Sequence, residues 1–285
     1  MKNIFSKNIR ESFNQFSFRL IVPDILFFVI GAILLVAFGS YTGLSSLPPS
    51  QLYDHLENSL AEFFVSLALL LIVGFVIGAR LKAFKLQMIL NSINEKTKGI
   101  IESYKESKKY FWKVIGLKII SFITLLIGVC IAIIFYMALQ RLNEFVAVIF
   151  GIAVIFAVAL SLFFRDAALF RDDLSPAPAI KESFKVFSRN KFMVLFIALF
   201  IFLINLVWGM TNTLIPSKSS PSSSIISLIY IIVVFLISAW SHLFIFNSYY
   251  SLKKAKHREP LTVRKTNKKA TKKTTKKRSR KKTKQ

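Results

Sequence analysis

Long apolar runs alternate with polar, mostly basic segments along the whole chain. Six of these runs are about twenty residues long, the length that an α-helix needs to cross a hydrocarbon core of roughly 30 Å. They occupy residues 20–38, 60–79, 114–139, 145–164, 192–208 and 225–246. The pattern predicts an all-α, polytopic membrane bundle of six transmembrane helices.

The composition agrees with this interpretation. Of 285 residues, 54% are hydrophobic, and the mean hydropathy of +0.55 exceeds that of soluble domains, which must cover their core with polar surface. The single cysteine, Cys130, excludes an intrachain disulfide and a Cys-based metal cluster. Because the three histidines are far apart and no phosphate-binding loop or nucleophile elbow occurs, we predict no enzyme activity, cofactor or metal site.

Basic residues are concentrated in every second segment between the apolar runs. The segment before the first run, residues 80–113, residues 165–191 and the chain after residue 246 carry four, nine, six and seventeen Lys or Arg, whereas the intervening segments carry only Arg141 and Lys218. Lys and Arg that flank membrane helices stay on the cytoplasmic side. The sequence therefore predicts a multi-pass protein of the cell membrane with a cytoplasmic N-terminus and a cytoplasmic C-terminus.

Three short segments share a sequence signature. They read IRESF from Ile9, IIESY from Ile100 and IKESF from Ile180, and each precedes an odd-numbered apolar run. Their apolar residues share one helical face, which predicts amphipathic helices at the cytoplasmic membrane surface. We therefore divide residues 1–252 into three hairpin units, about 1–96, 97–174 and 175–252, and assign no chemistry to the signature's glutamates and serines.

Two longer segments carry a resemblance to known proteins. "IIESYKESKKYFWKVIGLKII" (100–120) and "IKESFKVFSRNKFMVLF" (180–196), the latter after "FRDDLSPAPA", resemble the recurring helix-plus-span elements of a broad group of prokaryotic six-span membrane proteins. That group is similar to the membrane domain fused to some glycerophosphoryl diester phosphodiesterases, and it includes stand-alone proteins of unknown function. The resemblance covers about residues 1–252 and implies the fold. The phosphodiesterase activity would need a soluble catalytic barrel, for which these 285 residues leave no room.

Few polar residues lie within the predicted spans. Asp24, Asn205 and His242 are the intramembrane candidates, since polar groups in a bilayer are costly and commonly functional. The alternative to a functional role is snorkelling to the headgroups for Asp24, and interhelical hydrogen bonding for Asn205 and His242. Gly74 and Gly78, one turn apart in the second run, predict a close helix contact.

A mixed-charge cluster follows the fourth run. It contains Arg165, Asp166, Arg171, Asp172 and Asp173. We interpret it as a salt-bridged cytoplasmic cap, with a divalent-ion or phosphate site as the alternative.

The chain after residue 252 is a polycation. Residues 253–285 hold seventeen basic residues, one acid and no aromatic residue, which predicts a disordered, Lys/Arg-rich cytoplasmic tail. Each basic residue near an anionic leaflet contributes about 1 kcal/mol, so we expect the tail to bind anionic lipid headgroups or an acidic partner, with nucleic acid as the alternative ligand. The residues expected to make these contacts are Lys268, Lys269, Lys272, Lys273, Lys276, Lys277, Arg278, Arg280, Lys281 and Lys282.

Two functions fit these observations. The first is a non-enzymatic, membrane-organising or accessory protein that acts through its tail. The second is a small-solute transporter or channel subunit with a pathway lined by Asp24, Asn205 and His242. A water-filled cavity lined by Asn205 and His242 would favour transport, and a solid core would favour the organising role.

Overall fold

The computed structural model describes residues 2–43, 59–95, 98–141, 143–211 and 221–258, together with residues 48 and 50. These described residues form helices and turns and contain no β-strand, so the predicted all-α class is confirmed. In chain order the helices are α1 (Lys2–Asn14), α2 (Val22–Tyr41), α3 (Leu60–Ile93), α4 (Ile100–Glu106), α5 (Phe111–Leu139), α6 (Glu144–Ser161), α7 (Arg165–Arg171), α8 (Pro176–Arg189), α9 (Lys191–Thr211) and α10 (Pro221–Arg258). Two short 3-10 turns, Phe18–Ile21 and Ser107–Tyr110, lead into α2 and α5.

Several helices begin at residues that favour a helix start. Pro23 and Pro176 stand in the first turns of α2 and α8, and Pro221 is the first residue of α10. Proline suits this position because its missing N–H would have no partner there. Asn143 caps α6, accepting a hydrogen bond from the backbone N–H of Val146 at 3.1 Å.

Five helical segments in the described part of the chain are long and apolar enough to cross a membrane, as expected for a membrane protein. Helix α9 passes the same test only together with α8, from which it is bent by 104°, so the structure supports five or six spans. Every predicted apolar run lies within or largely overlaps one of these helices, and α9 holds the fifth run. The five segments are Phe18–Tyr41, Leu60–Ile93, Ile100–Leu139, Glu144–Arg171 and Ile226–Lys254.

Burial is concentrated at one end of the bundle. Helices α2, α5 and α9 are buried near their first residues, whereas α3, α6 and α10 are buried near their last ones. These ends pack with α1, α7 and α8 into one core, which we call the base. Beyond the base the helices are largely exposed: no residue is buried in the most apolar stretch of α3, and at most 28% are buried in those of the other four segments. So large an apolar surface is typical of contact with lipid.

Helix α3 shows the change from lipid-facing to buried surroundings within one element. Most of its residues are exposed up to Val76, and nearly all are buried from Ala79 to Asn91. The predicted second run ended at residue 79, and the residues after it were assigned to a basic segment outside the membrane. The helix instead continues to Ile93 because its second half packs inside the base. Similarly, α10 continues to Arg258, past the predicted start of the tail at residue 253.

Consecutive long helices differ in how closely they pack together. Helix α2 packs along α3 and α5 packs along α6, whereas α9 and α10 have fewer contacts with each other. Helices α1, α4 and α8 occupy the three signature positions. Helix α4 is only seven residues long, and it continues through the turn Ser107–Tyr110 into α5 instead of forming a separate surface helix.

Candidate functional site

Four charged residues form two ion pairs inside the base, and we call them the charge layer. Lys85 on α3 donates to both carboxylate oxygens of Asp24 on α2, at 2.9 and 2.7 Å, and to the hydroxyl of Ser238 on α10 at 2.8 Å. Lys82, one turn earlier on α3, pairs with Asp166 on α7 at 2.8 Å. The four side chains are only 8–25% exposed.

The charge layer ties α3 to its neighbours on three sides. Lys82 and Lys85 are three residues apart, so both lie on one face of the helix. Charges that leave water must be paired and hydrogen-bonded, because an unpaired buried charge costs several kcal/mol. Each lysine therefore requires its carboxylate, and the pairs hold the ends of α2, α7 and α10 around α3.

The three predicted intramembrane residues have different surroundings. Asp24 belongs to the charge layer. On α10, His242 donates through its Nδ1 to the carbonyl oxygen of Ser238 at 2.7 Å, and the hydroxyl of the same serine accepts from Lys85. Asn205 is exposed on α9, where its side chain donates to the carbonyl of Ile201 on the same helix at 2.7 Å. The structure thus connects Asp24 and His242 through Lys85 and Ser238, whereas Asn205 bonds only to its own helix among these contacts.

The acids of the mixed-charge cluster each pair with a lysine from another helix, an arrangement that agrees with a salt-bridged cap. The hydrogen bond from Lys113 lowers the pKa of Asp173 below its usual value. Within the described residues, no group of three or more His, Cys, Asp or Glu has the geometry for a metal ion. The pairs are Asp166 with Lys82, Asp172 with Lys253 and Asp173 with Lys113, at 2.8, 2.5 and 2.8 Å.

The serines of the three signature segments are buried in the base, where each joins its helix to a neighbour. Ser12 on α1 accepts a hydrogen bond from the side-chain amide of Asn247 on α10 at 3.1 Å. Ser103 on α4 accepts one from the amide of Asn91 on α3, also at 3.1 Å. Both asparagines lie near the base end of a long, even-numbered candidate span.

The third serine makes the equivalent contact through backbone atoms. Ser183 on α8 accepts a hydrogen bond from the N–H of Phe164 at 3.1 Å and donates to the carbonyl of Ser161 at 2.6 Å. It thereby satisfies two backbone groups where α6 ends and the chain turns into α7. We call the contacts of Ser12, Ser103 and Ser183 the serine joints; they connect the signature helices to α10, α3 and α6.

Sequence reasoning missed both the charge layer and the serine joints. The sequence predicts only that Lys82 and Lys85 lie in a basic cytoplasmic segment, since nothing local distinguishes a lysine that has a distant carboxylate partner. For two joints a signal did exist: the tetrapeptides ILNS (89–92) and IFNS (245–248) place an asparagine at the same point of α3 and α10. The third unit lacks this signal. There the corresponding position, twelve residues before Ser183, holds Arg171, whereas Asn91 holds it before Ser103.

The predicted glycine contact holds for one of its two residues. A Cβ at Gly78 would lie 3.3 Å from the ring of Phe27, so α2 approaches α3 closely there. A Cβ at Gly74 would meet no described atom within 4 Å, contrary to the prediction, because this face of α3 is open. A tighter approach occurs at Gly128, where a Cβ would lie 3.0 Å from Val158 of α6.

The ten predicted tail residues, Lys268 to Lys282, lie outside the described residues. The end of α10, from which the tail continues, is held by the base. Ser251 donates to the side-chain oxygen of Asn8 at 2.7 Å, and Lys253 pairs with Asp172. Ser251 and Lys253 of α10 therefore lie at the packed end of the bundle.

Comparison with protein-family models, with curated proteins and with solved structures found no match for this chain. The architecture defines the class of protein: a helical membrane protein in which largely exposed apolar helices extend from an ion-paired base.

Proposed function

We propose that this chain is a non-enzymatic membrane protein with six spans that organises contacts at the cytoplasmic surface through its basic tail. The observation that carries the proposal is the base, which is packed and internally ion-paired and which holds the helix that leads into the tail. Such a base suits a rigid platform better than a pathway for solutes. The resemblance to phosphodiesterase-linked membrane domains stays a prediction about the fold.

The contact between α1 and α10 supports an even number of crossings. Asn8 donates to Ser248 at 3.4 Å and accepts from Ser251, so the helices nearest the two termini meet at the same end of the bundle. Five crossings would place them on opposite sides of the membrane. Helix α9, with 21 residues and a length of about 30 Å, supplies the sixth crossing.

The charge distribution supports a cytoplasmic base. The basic segments 80–113 and 165–191 form part of the base or directly adjoin it, whereas Arg141 lies between α5 and α6 at the opposite end. Lys and Arg next to membrane helices stay in the cytoplasm. Both termini and the tail are accordingly cytoplasmic in this proposal.

Terminal reporters test the orientation. We expect a fluorescent protein that folds only in the cytoplasm to be bright when fused to either terminus. A phosphatase that is active only outside the cytoplasm should be inactive at both positions and active when inserted in segment 212–220. Phosphatase activity at either terminus would refute the proposed arrangement.

The ligand of the tail is tested with the full chain in nanodiscs of neutral lipid. We expect the protein to bind vesicles that contain phosphatidylglycerol and not vesicles of phosphatidylcholine, with binding that weakens as salt rises. Replacing the ten predicted tail residues by Gln should abolish binding, whereas the control, with Thr271, Thr274, Thr275 and Ser279 replaced by Ala, should bind normally. Binding to duplex DNA without vesicle binding would assign the tail to nucleic acid instead.

The charge layer favours a second candidate, a small-solute transporter or channel subunit, because buried ionisable groups in membrane proteins commonly line transport pathways. Asp24 belongs to this layer and His242 adjoins it through Ser238, as a pathway would require, but Asn205 is exposed and bonds to its own helix. Proteoliposomes loaded with a pH- or ion-sensitive dye test this function. A flux that disappears in the double variant Asp24→Leu with Lys85→Met, in which the buried pair is replaced by apolar groups, would establish transport, and no flux with any tested cation would support the organising role.

A further inference from the structure

An apolar cavity of about 390 Å³ lies between α1, the turn before α2, and helices α9 and α10. All of its lining residues are aliphatic or aromatic. Helix α1 and the turn contribute Phe13 and Phe18, α9 contributes Ile204, and α10 contributes Leu236 and Trp240. The cavity therefore lies within the interface between the first signature helix and the last two candidate spans, which contact each other through the ring of Phe5.

Water does not suit this cavity. Its volume would hold more than ten waters at about 30 Å³ each, but a water needs two to four polar partners, which this lining does not supply. An empty cavity deprives its walls of dispersion contacts. The stable occupant is an apolar molecule of the size range of small ligands, about 300–1,000 Å³.

The cavity is continuous with the surface that lipid covers. Phe13 and Phe18 line it, yet they are 63% and 71% exposed, so the cavity opens outward. On α9, Leu203 precedes the lining residue Ile204 and is 46% exposed on the lipid-facing side. A hydrocarbon chain can enter from the bilayer without crossing a polar barrier.

Two arginines are next in sequence to residues that line the cavity. Arg10 follows the lining residue Ile9, and Arg19 follows Phe18; both arginines are exposed. Arg19 also lines a second pocket, together with Asn91 and Lys98. Because a guanidinium binds phosphate oxygens in a bidentate manner, these side chains suit the headgroup of a lipid whose acyl chain occupies the cavity.

We propose that the cavity binds one acyl chain of an anionic phospholipid from the leaflet next to the base, with its phosphate beside Arg10 and Arg19. The bound lipid fills the gap between α1 and the pair α9–α10. This proposal names a lipid partner for the helical domain, and it depends on the membrane location and not on the ligand of the tail.

The test uses the full chain in nanodiscs that contain a trace of phosphatidylglycerol with a photoreactive diazirine at mid-chain. Cross-linked peptides are then identified by mass spectrometry. We expect the labels to concentrate on residues 9–18 and 236–240 and to saturate as the fraction of photoreactive lipid rises. Labels on the lipid-facing residues 202–203 should rise in proportion to that fraction. A proportional rise at both places would overturn the proposal without any variant.

Variants that fill the cavity provide the second arm. Ile204→Trp and Leu236→Trp enlarge side chains on opposite walls, and we expect each to reduce cavity labelling at least about fivefold, the change that corresponds to about 1 kcal/mol. Leu203→Trp, on the exposed face of α9, is the matched control and should label normally. Unchanged labelling in both cavity variants would also overturn the proposal.

Two further variants separate this proposal from the others. Arg10→Gln combined with Arg19→Gln should remove the preference for phosphatidylglycerol over phosphatidylcholine while labelling of the cavity continues; an unchanged preference would refute the headgroup assignment. The variant with ten neutralised tail residues should keep wild-type cavity labelling. Loss of labelling in that variant would instead mean that the tail, and not the cavity, recruits the lipid.

Discussion

At the scale of single residues, Lys85 is a buried charge that depends on its hydrogen-bond partners. Its side chain is 8% exposed and makes three hydrogen bonds, two to Asp24 and one to Ser238. Since no other side chain donates to Asp24 among these contacts, removing the lysine leaves a buried carboxylate without its partner.

We therefore expect Lys85→Met to lower the free energy of unfolding by about 3 kcal/mol or more. The double variant Asp24→Leu with Lys85→Met should recover most of this loss, because the buried pair is then replaced by apolar groups of similar size. Thermal unfolding in detergent measures both. Lys7→Met is the control, since Lys7 forms an exposed pair with Glu11 that contributes about 0.5 kcal/mol or less. A double variant no more stable than the single one would contradict this account.

Substitutions at two glycines are expected to differ in their effect on stability. Gly128→Leu should destabilise the protein by about 1–3 kcal/mol or more, because the new side chain meets Val158 where α5 and α6 touch. Gly74→Leu should change stability by less than about 0.5 kcal/mol, because its face of α3 is open. Equal losses in detergent melting would show that α3 has a partner at Gly74, such as another copy of the chain.

These residues also show how much of the candidate site could be predicted from the sequence. Asp24 and His242 are polar residues within apolar runs, so the sequence identified both as candidates. Lys85, the partner of Asp24, was not identifiable, because a lysine in a basic segment is ordinarily solvated and only the fold brings a carboxylate from 61 positions away. The spacing of Gly74 and Gly78 indicated a smooth helix surface, but spacing alone does not say which part of that surface meets another helix.

At the scale of elements, the serine joints explain why the signature contains a serine. Each serine is at most 2% exposed and connects a signature helix to the base end of α10, α3 or α6. The aromatic residue that follows it points outward, with Phe13, Tyr104 and Phe184 all exposed. A helix with one face docked by a hydroxyl and the other carrying an exposed ring suits a position between protein and lipid headgroups.

Ser183→Ala should lower the free energy of unfolding by about 1–3 kcal/mol, because the buried N–H of Phe164 loses its side-chain acceptor. Ser188→Ala is the matched control on the same helix, since Ser188 is exposed and its loss should cost less than about 0.5 kcal/mol. Chemical denaturation of both variants in detergent gives the comparison. A neutral Ser183→Ala would show that the joint is incidental.

The lengths of the elements were only partly predictable. An apolar run reports where lipid surrounds a helix, and that part of α3 was found correctly. Its continuation from Arg80 to Ile93 is buried by α4, which follows it closely in the chain, and by α7 and α10, which are distant in sequence. Its alternating charged and apolar residues therefore gave no sign of this burial. Helices α1 and α8 were easier to predict, because the repeated motif is a local signal.

At the scale of the whole molecule, the contact between the first and last helices fixes the relation of the two ends. Changing Asn8 and Ser251 to Cys, in a Cys130→Ser background, should give a disulfide under mild oxidation, because their side chains touch at 2.7 Å. Cleavage at a protease site in segment 212–220 should then leave the two fragments linked.

The control for this cross-link is Asn8→Cys with Ser40→Cys. Ser40 lies near the far end of α2, which begins at the base and is 20 residues long, or about 30 Å. No link should form within this pair. Linkage of the control, or none between positions 8 and 251, would refute the shared end of the two helices.

That shared end sets the order in which the protein is completed during synthesis. Asn8 and Ser248 are 240 positions apart, and at roughly 5–20 residues per second the ribosome needs about 12–48 s to make the intervening chain. Throughout this interval the polar face of α1 lacks the helix that covers it in the finished protein. A chain that stops before α10 therefore leaves Asn8 and Ser12 without their partners Ser248, Ser251 and Asn247.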